Sequence, residues 1–230
     1  SLLYQTIQTR TTSANGEEKP ISAQVGLGTR VASNTSIYTQ GSLMASENAT
    51  DFAISGDGFF AVRGADGKTY YTRARDFVWS VNAGGTLTLC TNEGYPVLDS
   101  NNQPINLPAG ISAEKVIVSE NGKMGYTNAA GTYVDMNQTI GLFQFNNPGG
   151  LEKTGTNLLA VTPASGNAMN ESTTANLTKS KVLQKYLEGS NVQVADEMVN
   201  LIIAQRAYQL NSKAITTSDE MLEQANNLKR

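Results

Sequence analysis

Histidine is absent from this 230-residue chain, and cysteine occurs once. Without histidine there is no Ser-His-Asp or Cys-His relay, and the commonest transition-metal ligand is missing. A lone Cys90 excludes an internal disulfide and any multi-cysteine zinc site. It lies in the β-like run Thr86–Asn92 and reads as a small buried hydrophobe. Charged residues make up only 16% of the chain, and Lys and Arg form no stripe, so the footprint of a nucleic-acid binder is lacking. No apolar run approaches the ~20 residues of a membrane-spanning helix, which argues against membrane insertion. The opening residues Ser1 to Thr12 lack the charged-then-apolar pattern of a signal peptide, and there is no initiator methionine. These absences leave no catalytic, cofactor-binding or metal-ligating candidates.

What is present is 39% hydrophobic residues with much Asn, Thr, Ser and Gly, a mixture suited to short strands and many turns. Residues 1–50 read as a polar, extended entry segment, with a loop signal at Asn15-Gly16-Glu17-Glu18-Lys19-Pro20. Leu2, Leu3, Tyr4 and Ile7 form a short amphipathic start to a helix or a strand, and Gly26 and Gly28 break any helix in the extended run that follows. Residues 51–162 repeat strand signals separated by turn chemistry. Asp66-Gly67 predicts a two-residue hairpin, and turns are expected at Asn82–Gly85, Asn92–Gly94, Ser100–Asn102 and Glu120–Lys123. Residues 163–190 read as a loop followed by an extended return segment, and residues 191–230 as a helix of coiled-coil type, running from Ala195 to about Asn227 with Ser190 or Asn191 as its N-cap. The fold class expected is mainly β, a meander resembling a sandwich or barrel, inserted between extended terminal segments and followed by one long C-terminal helix.

Three motifs invite a chemical reading. Gly56-Asp57-Gly58-Phe59-Phe60 superficially resembles a phosphate loop, but it lacks a third glycine and a helix to follow, so it reads as a tight turn with two packing aromatics. Carboxylate pairs such as Asp51 with Asp57, or Glu17 with Glu18, have the residue types of general acid–base work, but no cluster of titratable residues surrounds them. Asp99 to Gln103 offers alternating oxygen ligands without the glycine and glutamate that a calcium loop needs.

The last helix carries more information. Ile203, Ala207, Leu210, Ala214, Thr217, Met221 and Leu228 recur in alternating steps of four and three, with Gln224 filling the gap before Leu228. That is a heptad seam, and a narrow apolar stripe of this kind needs another helix to cover it. The rest of the chain offers no comparable helix. Gln205, Arg206 and Asn211 add polar groups able to bond across a helix pair and set its register. Together these ten residues are the predicted helix interface, and they point towards an assembly subunit.

Read in order, the segments resemble the flagellar axial family of rod and hook proteins. The resemblance rests on Gln40-Gly41-Ser42-Leu43, Asp51 to Val62, Tyr71-Thr72-Arg73, Phe77, Gly85-Thr86-Leu87, Gly94 to Leu98 and Phe145 to Leu151. It continues through Gly155-Thr156-Asn157 and Leu187 to Val192, then Glu197-Met198, Gln205 to Tyr208, Asn211, Lys213, Ile215, Thr217 and Asp219 to Leu222. It covers nearly all of residues 24–230. Gln24 to Arg30 is most like the distal-rod branch of that family, with the proximal rod and the hook as the alternatives. A β-rich surface adhesion or binding module is the competing class, and an aromatic-lined groove on the β-domain would favour it.

The resemblance implies a mechanical subunit that self-assembles into a helical tubular drive shaft carrying torque to the hook. The partners it implies are other copies of the chain, neighbouring rod and hook proteins, ring proteins around the shaft, and the flagellar export apparatus. It places the protein in the basal body, outside the cytoplasm, exported without a cleavable signal. The family begins with a helix bearing an asparagine-rich motif that this chain does not contain, so the chain is expected to be part of something longer and unable to assemble by itself. Cys90 and Trp79 depart from the family pattern, and no function attaches to them. In an isolated monomer the C-terminal helix should be partly disordered, with fast amide hydrogen exchange from Ala195 onward; full protection there would count against the reading.

Overall fold

In a computed structural model the chain is described at residues 4–8 and 23–26, and at residues 35–228 except 83, 129 and 156. It divides into two compact units, Ser1–Ile37 and Tyr38–Arg230. In the first, β1 (Tyr4–Gln8) pairs antiparallel with β2 (Ala23–Gly26), so the amphipathic start is a strand from Tyr4 on, Leu2 and Leu3 lying outside the described residues. The loop signal at residues 15–20, the Glu17–Glu18 pair and residues 27–30 of the entry signature lie outside the described residues.

The second unit opens with β3 (Leu43–Ala45) and β4 (Phe52–Ser55), then the hairpin β5 (Phe59–Arg63) and β6 (Thr69–Thr72). Next come β7 (Phe77–Val81), β8 (Leu87–Thr91) and β9 (Asn106–Leu107), which form one three-stranded sheet. A second such sheet contains β10 (Val116–Val118), β11 (Lys123–Thr127) and β12 (Tyr133–Thr139). Then follow β13 (Leu142–Gln144), β14 (Glu152–Thr154), β15 (Leu158–Ala160) and β16 (Met169–Asn170). The return segment gives β17 (Lys181–Gln184) and β18 (Tyr186–Glu188), and α1 (Val194–Asn227) ends the chain. The molecule is thus mostly β-strand in several sheets, with a single long C-terminal helix.

The turns follow their residues closely. Gly94 and Gly122 have φ of 88° and 77°, where a side chain is disfavoured, and each donates back three residues to close its turn. At Asp99–Gln103 the Asp99 carboxylate accepts from the N–H groups of Asn101 and Gln103 at 2.8 Å each, which makes the segment an Asx-type turn. One hairpin differs from expectation. Between β5 and β6 the Gly64 N–H bonds the Lys68 carbonyl and Gly67 sits at φ 79°, so the loop is the three residues Ala65-Asp66-Gly67. A type I turn closed by a left-handed glycine spans three residues where the primed turn would span two.

The sheets do not form a simple meander. The central six-stranded sheet runs β14-β15-β6-β5-β13-β16, so β5 lies between its own hairpin partner and a strand about eighty residues further on. Both faces of β5 are buried. Phe60 and Val62 face a core with Phe52, Phe77, Leu89 and Val97. Phe59 and Ala61 face another with Tyr71, Leu98, Phe143 and Phe145. Alternation along a strand assigns those neighbours to opposite faces. Edge-to-face rings lock each side: Phe60 on Phe77 at 5.2 Å and Tyr71 on Phe145 at 4.9 Å between centroids.

The phosphate-loop look-alike is the turn that delivers β5. Phe59 and Phe60 are fully buried, the Gly58 N–H donates to Ser180 Oγ at 3.0 Å, and a Cβ on Gly58 would stand 2.8 Å from the Glu171 carboxylate. Replacing Phe60 with Ala should cost about 4 kcal/mol in urea unfolding. Val78→Ala, on the exposed side of β7, should stay within about 0.5 kcal/mol.

Candidate assembly interface

The 34 residues of α1 contain neither Gly nor Pro, and Asp196 and Glu197 in the first turn suit the positive end of the helix dipole. The helix begins at Val194 after Gln193, and no side chain caps it. Ser190 and Asn191, the expected caps, are used one turn earlier. Ser190 Oγ accepts from the Val192 N–H, and Asn191 Nδ2 donates to the Thr39 carbonyl at 2.9 Å. That bond ties the helix entrance to the entry segment, a long-range partner that local spacing does not reveal.

No residue of α1 is buried. Leu210 is 69% exposed, Tyr208 75% and Leu228, at the end of the helix, 88%. Most of the exposed large hydrophobics among the described residues lie between Val192 and Leu228. Large exposed apolar surfaces are characteristic of interaction sites. At about 100° per residue, Ile203, Ala207, Leu210, Ala214, Thr217, Met221 and Leu228 share one face. Thr217 alone is half-buried and the rest are exposed. Arg206 flanks that face, and Asn211 lies to its other side. Gln205 falls on the opposite side, between Leu201 and Tyr208 along the axis.

That opposite side carries a second stripe. Val194, Leu201, Tyr208, Ile215 and Leu222 recur every seventh residue, and all are exposed. The strict seven-residue repeat is legible in the sequence. Apolar stripes on opposite faces cancel in any one-sided measure of amphipathicity, which is how the first conceals the second.

The helix emerges from a tightly held junction. β18 pairs with β3 and β17 with β4, so the return segment closes on the entry segment. Lys185, at φ 62°, turns the chain between the two pairings; its N–H donates to the Asp51 carbonyl, and its carbonyl accepts from Ser46. Glu188 is the hub. Its carboxylate meets Arg73 at 3.2 Å with both side chains 14% exposed, and it accepts the Gly41 N–H at 3.1 Å. Arg73 also donates to the Gly56 carbonyl at 3.1 Å and lies 5.6 Å over the Phe59 ring. Arg75 donates to the Glu188 backbone carbonyl. A Cβ on Gly41 would stand 2.1 Å from the Gly189 carbonyl oxygen, so the approach of the two backbones requires glycine there.

Other candidate sites dissolve. The Asp51 carboxylate is buried and accepts from Ser46 Oγ and Asn48 Nδ2, while Asp57 is exposed in its turn. Cys90 is buried, and burial pushes its thiol above the ordinary range. An open groove of about 830 Å³ runs past Arg73, Arg75, Asp76 and Lys153, with Tyr38 its only aromatic, so it is not the aromatic-lined groove of an adhesion module. Among the described residues, no helix is long and apolar enough to cross a membrane.

Arg73→Ala should cost about 3 kcal/mol, because it leaves the Glu188 charge largely enclosed and unpaired. Arg73→Met with Glu188→Leu should cost clearly less than the sum of the single changes, a non-additivity that denaturant unfolding of all three variants measures.

Residues 53–126 match the D1 domain of the flagellar hook protein FlgE/F/G family, and residues 183–228 match the C-terminal segment of the flagellar basal body rod FlgEFG proteins. The flagellar basal-body rod protein FlgG of Buchnera aphidicola subsp. Schizaphis graminum is 39% identical over 99% of this chain and 84% of its own length. That of Agrobacterium fabrum is 40% identical over 96% of this chain and 80% of its own. That of Bacillus subtilis is 38% identical over 91% and 76%. With its β-domain, its return strands and its exposed helix all inside these matches, the chain belongs to the FlgG family of flagellar basal-body rod proteins.

Proposed function

We propose that this chain is a subunit of the distal rod, that copies of it assemble into a helical tubular shaft, and that the shaft carries torque to the hook. Membership of the family makes it a structural protein of the flagellar basal body and not an enzyme. The observation that carries the finer reading is the exposed helix beside the closed junction. An exposed helix 34 residues long with apolar stripes has no core among the described residues, and a further helix, from a neighbouring copy or from the rest of a longer protein, would complete it.

The proposed interface is Ile203, Ala207, Leu210, Ala214, Thr217, Met221 and Leu228, flanked by Arg206 and Asn211 as polar contacts, while Gln205 faces away from it. A face on one copy that binds a different face on the next gives an open helical filament instead of a closed ring, which is how one chain type builds a shaft. The Arg73–Glu188 junction then sets the angle between helix and β-domain. Torque borne by the outer β-domain passes into the helical layer through it. Neighbouring rod and hook proteins at the shaft ends, ring proteins around it and the flagellar export apparatus are the further partners.

Deleting the gene should leave basal bodies whose shafts stop short and bear no hook, as seen by electron microscopy, with the full-length gene restoring them. Leu210→Asp in that full-length gene should fail to restore them although the protein is made and its β-domain unfolds at the wild-type denaturant midpoint. Normal shafts and hooks in the deletion strain would overturn the reading.

A further inference from the structure

The open groove of the β-domain carries charges that the chain itself leaves unmatched. Asp51 and Asp76 face each other in an isolated antiparallel bridge. The Phe52 N–H donates to the Arg75 carbonyl and the Phe77 N–H to the Thr50 carbonyl, which makes the two aspartates a non-hydrogen-bonded pair. In such a pair the Cα atoms lie about 4.5 Å apart and both side chains leave on one face. Like charges so placed repel. Among the described residues, no lysine or arginine forms an ion pair with either carboxylate.

Asp51 is the sharper case. It is 5% exposed, yet it lines the groove. Ser46 Oγ and Asn48 Nδ2 both donate to its Oδ2, and among the described residues no donor reaches Oδ1. Asp76, which is exposed, accepts from Asn92 Nδ2 on one oxygen and likewise keeps the other for a further donor. The side-chain carbonyl of Asn48 adds a neutral acceptor on the same wall. A set of acceptors with negative charge, partly withdrawn from water, fits a lysine ammonium, which brings three donors on one compact charge.

The groove also has a basic end. Lys153 on β14 is exposed and, among the described residues, makes no ion pair. It pairs with Leu159, which pairs with Tyr71, so it stands two strands across from Tyr71, whereas Asp76 lies five residues beyond Tyr71 along the chain. The acidic and basic ends are therefore several residues of extended chain apart. We propose that this groove, about 830 Å³ in volume, binds an extended segment of a partner protein. A lysine of that segment sits between Asp51 and Asp76, and an acidic side chain further along it meets Lys153. Charge complementarity identifies the occupant, and the opposite signs at the two ends set its direction. The groove lies in the β-domain, so the proposal goes beyond the assembly of the helix and stands apart from it.

The test titrates the full-length chain with two short synthetic peptides by calorimetry. Each has lysine at one end, glutamate at the other and valine and threonine between, in the two chain directions. One of them should bind saturably with a dissociation constant below about 1 mM. D76N and, separately, K153A should each weaken that binding about tenfold, while Lys123→Ala, which does not line the groove, leaves it unchanged. A peptide with glutamine in place of lysine should be weakened as much as D76N weakens the original. In the free protein D76N should keep or raise the urea midpoint, because it removes a like charge from the pair. Should D76N fail to fold, the glutamine peptide reads the same contact on the unchanged protein. The absence of saturable binding by either peptide would overturn the proposal, and so would binding indifferent to the lysine-to-glutamine change. Self-association of the full-length chain that D76N abolishes, with neither peptide binding, would make a second copy the occupant and overturn it too.

Discussion

The carboxylate of Glu188 sits where the β-domain ends and the path to the helix begins, and the arrangement of the second unit turns on how it is held. Arg73 reaches it from the central sheet, Gly41 from the entry segment, and Arg75 grips the backbone of the same residue. A largely enclosed ion pair of this kind is weak evidence for net stability, since desolvation offsets most of its attraction. Its contribution is geometric: it fixes which strand of the return segment lies beside which strand of the entry. Removing one partner would leave a largely enclosed charge unpaired, which is costly.

From that junction α1 leaves without a side-chain cap and without burying a residue. Helices in proteins owe most of their stability to packing, and this one finds none in its own described chain. The same physics accounts for both halves of the molecule. Strand β5 has a core on each face and so completes a folded domain, whereas α1 has an apolar stripe on each face and no core on either. The first is closed by the chain itself, and the second is left open among the described residues. Between them, the Asn191 bond to Thr39 and the close approach of Gly41 and Gly189 pass constraint from sheet to helix.

Much of this was legible residue by residue. Turn glycines at 94 and 122, the buried aromatics after Gly58, the strand character of the Cys90 segment and the length of the last helix follow from local rules whose physics spans a few residues. Local rules misjudged what depends on distant partners. Asp66-Gly67 looked like a two-residue turn, but the loop takes three residues, its closing glycine in the left-handed region. Ser190 and Asn191 looked like caps until Thr39 claimed the asparagine. The stripe through Tyr208 lay in plain spacing and was hidden by the stripe opposite.

By itself the sequence determined the class of the molecule: no catalytic histidine, short strands and turns, and an ordered set of motifs ending in a helix with heptad spacing. Those properties reside in residue type and local period. Only the tertiary structure decided that β5 lies between strands about eighty residues apart in the chain, that Arg73 and Glu188 meet across 115 positions, and that the seam stays in solvent. Such pairings are settled by competition for burial among segments distant along the chain. Periodicity shows that a face is apolar; the folded arrangement shows which faces the described chain covers and which it leaves exposed.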